Sequence, residues 1–291
     1  MTGPTLERLI RLFDVEPDGS GGLRFVGVGE GGGGRRVMDG AQVLAQSIVA
    51  AAKALPEHTV RSAHVLFASV IRPDEPLHFT VTPVRSGRSF AFTSVTAAQA
   101  GGIRTTAQLL LDRPAADVIR HDRWTGPPVA GPQDTYPADL PLPGRRVRIA
   151  DVPDPDSPAE VGPPLLDAWL HYDPVPDRDD LRRALLAHFT GHLSVSTAMR
   201  PHPGIGTAQA HRTVSTAPLS IAVHFHEPVQ WDGWIRYHHE STYAGAGMGF
   251  VRGQVLTEEG RLIASFAQDA MIRAFEAAAS AGTSLPVESR L

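Results

Sequence analysis

Two histidines in this sequence have a spacing that could do chemistry. His188 and His192 lie four residues apart in a predicted helix, which places both imidazoles on one face, where they could form half of a metal site. The sequence has no HExxH pattern and no matching set of carboxylates, so we predict that no metal binds. Because the intrinsic pKa of an imidazole lies near neutrality, His192 is instead a candidate general base.

Three further polar residues are candidates for a ligand site. Asp39 directly precedes a predicted helix and either caps that helix or faces a ligand. His226 shares one face of a predicted strand with His224, which makes the pair either a polar patch or simple cross-strand neighbours of other histidines. Gln268 lies in the last predicted strand, where a buried amide either satisfies other polar groups or contacts a ligand, and we favour the ligand.

A glycine-rich run, GVGEGG at residues 27–32, formally matches the dinucleotide-binding fingerprint. That fingerprint must open directly onto a helix, so that the pyrophosphate meets the free N–H groups of the first turn. Here the next predicted helix starts only at about Gly40, and no acidic residue follows a second strand. We therefore interpret the run as a surface loop.

Composition disfavours several classes of protein. The 291 residues carry a formal net charge of −4 without a block of basic residues, which disfavours nucleic acid and anionic membranes as partners. No apolar run approaches the ~20 residues that span a bilayer, and the N-terminus does not resemble a signal peptide. The absence of cysteine excludes disulfides, thiolate metal sites and a cysteine nucleophile. We predict a soluble, cytoplasmic protein with no membrane insertion.

Hydrophobic periodicity predicts two similar groups of elements, each a helix followed by antiparallel strands. The first group has an amphipathic helix over residues 4–14, a mostly apolar helix over residues 40–55 and strands over residues 60–71, 77–85, 88–98 and 103–111. The second group has a helix over residues 181–195 and four strands within residues 217–273.

A connector rich in proline separates the two groups. Fourteen of the 25 prolines lie between residues 114 and 176, a density that excludes a long helix and leaves room only for short edge strands over residues 147–150 and 165–172. We predict an N-terminal unit over residues 1–113, a Pro-rich linker over 114–144, a C-terminal unit over 145–280 and a tail over 281–291.

An internal repeat supports this division. Residues 86–113 align without a gap on residues 246–273 with seven of 28 positions identical, where chance would give about two. The repeat predicts a duplicated α+β unit, with two antiparallel sheets that join edge to edge, each wrapped around a long helix. Because the alignment pairs Gln108 with Gln268, a structural role for Gln268 stays open.

This arrangement resembles the double hot-dog fold. The run HFHEPVQWDGWIRYHHES from His224, followed by GMGFVRGQVLTEEGRLIASFAQDAMIR, is similar to the C-terminal signature of the bacterial acyl-CoA thioesterase II family. In the first half, GAQVLAQSIVAAAKAL and the sequence IRP at residues 71–73 resemble that family's first-helix and R-P-G motifs. The resemblance covers nearly the whole chain.

The resemblance implies a hydrolytic triad of an Asp on the second helix, a Thr on the next strand and a Gln on the last strand. Gln268 matches the glutamine. Gly191, followed by His192, stands at the Asp position. Pro218, counted back from His226, stands at the Thr position, with hydroxyls two residues away on either side.

From this comparison we predict a catalytic group and a substrate site. The catalytic group is Gln268, helped by Ser220, Thr216 or His192. The substrate-binding residues are Gly191, Pro218, His226 and Asp39, of which Asp39 could also act as a carboxylate base.

The resemblance implies hydrolysis of acyl-CoA, or of a related thioester, to a free fatty acid and CoA by direct attack of water. The implied mechanism requires no metal or organic cofactor. The resemblance also implies a role in fatty acid metabolism and assembly into a homo-oligomer. An alternative is an acyl-CoA binding protein that has lost the triad and does not hydrolyse. A dehydratase is the least favoured hypothesis, because the helix at residues 40–55 contains neither a His nor an acidic residue.

Overall fold

The computed structural model describes residues 5–31, 37–124, 126–138, 140–150, 152, 157, 159 and 161–274. Within these ranges lie four α-helices: α1 (Leu6–Phe13), α2 (Gly40–Ala54), α3 (Asp179–Thr190) and α4 (Ser194–Met199). Thirteen strands accompany them: β1 (Glu16–Pro17), β2 (Arg24–Gly27), β3 (Thr59–Phe67), β4 (Leu77–Ser86), β5 (Phe90–Gln99), β6 (Gly102–Asp112), β7 (Tyr136–Pro137), β8 (Arg145–Ile149), β9 (Leu165–Tyr172), β10 (Val214–Phe225), β11 (Ile235–Gly245), β12 (Met248–Thr257) and β13 (Leu262–Ala274).

All thirteen strands form one antiparallel sheet in the order β1-β2-β4-β5-β6-β3-β10-β13-β12-β11-β9-β8-β7. The two halves meet where β3 pairs with β10, from Ser220 opposite Leu66 to His224 opposite Ser62. Each half of the sheet encloses one long helix, α2 or α3. The predicted double hot-dog fold, with two sheets joined edge to edge, is confirmed.

Helix α2 is buried on almost every side. Its residues 41–51 are all buried, because the sheet covers one side and α3 packs on the other. Asp39 caps its first turn through a hydrogen bond from the backbone N–H of Ala41, 3.0 Å long. The helix ends at Ala54, two residues before Pro56. The sequence predicted this helix to within one residue.

The second predicted helix is shorter than expected. Periodicity predicted one helix over residues 181–195, but α3 ends at Thr190 and α4 starts at Ser194. Leu193, between them, has a left-handed backbone with φ of 63°, a conformation that ends a helix and that Leu rarely adopts. The chain therefore turns directly after Gly191 and His192, at the residues that the family motif singled out.

The ungapped repeat does not hold in the last strand of each unit. Val95 of β5 faces Ala107 of β6, but Val255 of β12 faces Ala264 of β13, three residues from the partner that the repeat predicted. Because a slip by an odd number of residues turns every side chain to the other face, Gln108 is exposed whereas Gln268 is buried. The proposed equivalence of the two glutamines is wrong.

The Pro-rich segment contributes to the fold of the second half. Strand β9 was predicted at an edge but lies between β11 and β8. On the outer face of this region the guanidinium of Arg236 lies 4.8 Å from the ring centre of Trp124 and donates to Asp167 at 2.7 Å. The indole N–H of Trp169 donates to the carbonyl of Ala130. These contacts hold part of the predicted linker against the sheet.

Two further predictions can be compared with the described residues. None of the helices in the described ranges is both long enough and apolar enough to cross a membrane. The predicted tail, residues 281–291, and the end of the predicted C-terminal unit, residues 275–280, lie outside the described residues.

Candidate functional site

The two long helices meet where α2 begins and α3 ends. A Cβ atom on Gly191 would lie 2.5 Å from Cβ of Ala41 and 3.4 Å from Cδ1 of Ile221. Glycine at position 191 therefore permits a close approach of the two helices over β10, and an aspartate there would collide with Ala41. This crossing point is the centre of the candidate site.

Gln268 lies beside this crossing point. In the sheet it is directly opposite Ile221 of β10 and Val251 of β12, and its side chain is 1% exposed. Neither its amide nitrogen nor its amide oxygen has a hydrogen-bond partner among the described residues. A buried polar group without a partner costs about 1–3 kcal/mol, so the amide is expected to bind a water molecule or a ligand group.

Pro218 closes the same region from β10. It is opposite Ala270, on the face that Gln268 shares. Its Cγ would lie 3.3 Å from a Cβ atom on Gly40, at the start of α2. A register shift follows between Pro218 and Ser220, where the strand bulges. The three motif positions Gly191, Pro218 and Gln268 thus converge at the first turn of α2, although two of them carry no functional group.

The hydroxyl groups predicted to help Gln268 lie elsewhere. Ser220 is opposite Asp269, on the other face of the sheet, and its Oγ donates to that carboxylate at 2.6 Å. Thr216 is opposite Ile272, which lies four positions further along β13 than Gln268, a separation of about 13 Å. Its Oγ1 lies 3.4 Å from Nε2 of His211. The structure therefore brings neither hydroxyl to Gln268. The bulge places Ser220 on the other face, and Thr216 shares the face of Gln268 but lies too far along the strand.

His226 is also outside the site. It is exposed, and its Nε2 lies 2.9 Å from Oγ of Ser265. Its backbone N–H donates to the carbonyl of Ile263, five residues before Gln268 along β13. His226 therefore lies at the edge of the strand pair and does not reach the crossing point of the helices.

A cluster of Asp39, His188 and His192 lies at the crossing point. Nε2 of His188 is 3.3 Å from Oδ2 of Asp39, and one potential ligand atom from each of the three side chains lies within 4.8 Å of the others. The rings of His188 and His192 are 4.9 Å apart, and His192 stacks on Phe189 at 5.0 Å. Nδ1 of His192 lies 3.2 Å from the carbonyl of His188. We term these three residues the Asp39 cluster.

The protonation of the Asp39 cluster follows from its surroundings. Partial burial raises the pKa of the Asp39 carboxyl, but the hydrogen bond and charge of His188 outweigh this effect and lower the pKa overall. Burial, together with His188, lowers the pKa of His192 to about 3. At neutral pH, Asp39 is therefore ionised and His192 is neutral.

His239 is a buried neighbour that the sequence did not single out. It is fully buried, its Nε2–H donates to the carbonyl of His192 at 3.1 Å, and burial lowers its pKa to about 4. The preceding residue, His238, lies on the opposite face in contact with Asp167. Their alternation along β11 was the available signal.

Comparison with known proteins identifies the family. Residues 33–112 match the model of the acyl-CoA thioesterase N-terminal domain, and residues 123–272 match that of the C-terminal domain. Acyl-coenzyme A thioesterase 8 of Homo sapiens is 26% identical over 260 residues, which cover 80% of each chain. Acyl-CoA thioesterase 2 of Haemophilus influenzae is 28% identical over 291 residues, with 92% of this chain and 98% of the relative covered.

Solved structures show the same fold. The tesB protein of Mycobacterium avium subs paratuberculosis superimposes with a TM-score of 0.77 at 21% identity, covering 92% of this chain and 99% of that chain. Acyl-CoA thioesterase II TesB2 of Mycobacterium marinum superimposes with a TM-score of 0.71 at 23% identity, covering 92% and 98%. With family models that match most of the chain and the fold shared throughout, this protein belongs to the acyl-CoA thioesterase II family.

Proposed function

We propose that this protein hydrolyses acyl-CoA thioesters at the site formed by Gln268 and the first turn of α2. The observation that carries the proposal is the amide of Gln268, which is buried and has no hydrogen-bond partner among the described residues. Water attacks the thioester carbonyl carbon, the C–S bond breaks, and the products are a carboxylic acid and the free thiol of CoA.

Gln268 can act on both reactants. Its Nε2–H group is suited to donate to the thioester carbonyl oxygen, which becomes negatively charged in the transition state, while Oε1 accepts a hydrogen bond from the attacking water. The N-terminus of α2, a helix of 15 residues, adds a positive potential where this charge develops. A thioester needs less activation than an ester because its thiolate leaves readily.

Activity measurements test this proposal. CoA release from a panel of acyl-CoAs of different chain length can be followed with a thiol-reactive chromophore, and the protein itself contributes no thiol because it lacks cysteine. Gln268→Met keeps the volume of the side chain and removes both hydrogen-bonding atoms. We expect kcat/KM to fall by at least about 100-fold, whereas the exposed Gln108→Met should leave it unchanged.

Stability separates a catalytic role of Gln268 from a structural role. If the buried amide lacks protein partners, as in the structure, Gln268→Met should raise the free energy of unfolding by about 1 kcal/mol or more. A destabilised variant would show that protein groups satisfy the amide, and it would contradict the assignment of Gln268 to a ligand site. Wild-type protein that binds acyl-CoA without turnover would contradict hydrolysis.

A non-hydrolytic acyl-CoA binding protein is the second candidate function. The observation that favours it is the pair of residues without functional groups, Gly191 and Pro218, at the motif positions of an Asp and a Thr. Loss of a general base commonly slows a reaction about 10²- to 10⁴-fold. Tight binding of acyl-CoA, measured by calorimetry, together with no CoA release would support this candidate.

The family supports acyl-CoA as the substrate. Four statements stay predictions from the sequence. They are a cytoplasmic location, a role in fatty acid metabolism, assembly into a homo-oligomer, and domain boundaries at residues 113, 144 and 280. Size-exclusion chromatography with light scattering tests the oligomeric state, and limited proteolysis tests the boundaries.

A further inference from the structure

We propose that Asp39 is the base that activates water in this site. A carboxylate at the start of α2 thereby replaces the one that is missing at Gly191, at the end of α3. This inference rests on the proposed hydrolysis and assigns to it a residue outside the family motif.

The carboxylate of Asp39 is held between two neighbours of Gly191. Its Oδ1 accepts from the backbone N–H of Ala41 at 3.0 Å, and Cβ of Ala41 would be 2.5 Å from a side chain at position 191. Its Oδ2 lies 3.3 Å from Nε2 of His188, which is one helical turn before Gly191. The carboxylate thus reaches the space beside Gly191 from the opposite helix.

Packing leaves no room for a side chain at position 191. Because Ala41 occupies the space that a side chain at position 191 would need, an acidic residue at 191 requires the two helices to separate. Helices α2 and α3 meet at opposite ends, so the residue preceding α2 lies next to the residue that follows α3. Asp39 is the residue that precedes α2.

Asp39 is accessible, whereas its partner is not. The side chain of Asp39 is 41% exposed and that of His188 is 6% exposed. A water molecule can therefore contact Asp39 while His188 holds the carboxylate from behind. His188 is a positioning residue, since its Nε2–H donates to Oδ2 and its Nδ1 has no hydrogen-bond partner among the described residues.

The proton transfer is balanced by groups in the site and by substrate. As the water oxygen bonds to the carbonyl carbon, one water proton passes to the Asp39 carboxylate. When the tetrahedral intermediate collapses, the C–S bond breaks and the thiolate of CoA leaves. The proton on Asp39 then passes to that thiolate, directly or through water, and the carboxylate is restored. No oxidant, reductant or further reactant is needed.

The Asp39 cluster also has the composition of a divalent-cation site, because two imidazoles and a carboxylate bind Zn²⁺ and related metals. The 3.3 Å between Asp39 and His188 matches neighbouring ligands on one tetrahedral metal, but other ligand atoms of the cluster are up to 4.8 Å apart. A bound metal would require these ligand atoms to move closer together, whereas acid–base catalysis requires no movement. Metal binding is therefore one outcome that the experiment distinguishes.

Asp39→Asn is the decisive variant. Asparagine caps a helix as well as aspartate does, so the fold is preserved while the base is removed. We expect kcat to fall by about 10²- to 10⁴-fold, with KM nearly unchanged and Tm lowered only by the loss of the charge of Asp39 beside His188. Asp180→Asn is the matched control, because Asp180 lies in the first turn of α3, at the opposite end of the helix pair, and this variant should retain wild-type kcat.

Transfer of the acidic side chain from position 39 to position 191 provides a gain-of-function test. The variant Asp39→Asn/Ala41→Gly/Gly191→Asp removes the obstructing methyl group and places the acid on the second helix. We expect it to be at least about tenfold more active than Asp39→Asn/Ala41→Gly. A triple variant no more active than this double variant would count against the proposal.

The outcomes separate the base from the reaction. If wild-type protein releases CoA and Asp39→Asn retains its kcat, hydrolysis stands and Asp39 is not the base. If wild-type activity is lost on dialysis against a chelator and returns with Zn²⁺, the cluster is a metal centre and the proposal is overturned. If wild-type protein releases no CoA, both the proposed function and this inference fail.

Discussion

Gly191→Ala should weaken the contact between the two long helices. The new methyl group would lie 2.5 Å from Cβ of Ala41, whereas carbon atoms in contact are about 3.5–4.0 Å apart. Because neither methyl group can rotate away, the helices must separate by about 1 Å, and overpacking of this kind costs about 1–3 kcal/mol. The backbone of Gly191 is right-handed helical, with φ of −77°, so the substitution adds no backbone strain.

A double-mutant cycle with Ala41→Gly isolates this contact. Free energies of unfolding from denaturant titration should give a coupling energy between the two substitutions of at least about 1 kcal/mol, because Ala41→Gly removes the atom that collides. Gly131→Ala serves as the control, since no atom lies within 4 Å of its new Cβ. A coupling energy within about 0.5 kcal/mol of zero would refute the close contact of α2 and α3 beside Asp39.

Two further predictions concern ionisable groups in the second half of the chain. Asp167→Asn should destabilise the protein by roughly 3–5 kcal/mol, because it leaves buried Arg236 without its carboxylate partner; thermal unfolding measures this, and a Tm equal to wild type would contradict it. Burial lowers the pKa of the His192 imidazole from 6.5 to about 3. Between these two pH values the imidazole binds a proton in the unfolded state but not in the folded state. Stability from the neutral imidazole is therefore complete above pH 6.5 and is lost toward pH 3, by at most about 1.4 kcal/mol per pH unit. His192→Phe should flatten this dependence in denaturant titrations between pH 7 and about 4, and an unchanged slope would show that other groups cause it.

Local patterns in the sequence predicted most of the elements. The apolar run that becomes α2 predicted a buried helix to within one residue, because such a composition is stable only when it is covered on all sides. Alternation and turn residues predicted β10–β13, since the period of a strand is encoded in adjacent residues. The helical pattern continued to residue 195, but Leu193 has a left-handed backbone with φ of 63° that interrupts the helix. Its side chain gives no sign of this, because Leu rarely adopts that conformation.

Only tertiary structure decided which polar groups share the site. Gln268 could be located by its motif, but its burial, in contrast to exposed Gln108, depends on a slip of strand pairing that the aligned sequence does not reveal. The helix interface places Asp39 beside His188, although 148 residues lie between them in the sequence. Sequence by itself determined the elements and the family, because both are encoded in local residue patterns. Tertiary structure decided the partners of each polar side chain, because strand register and helix packing bring together residues that no local pattern connects.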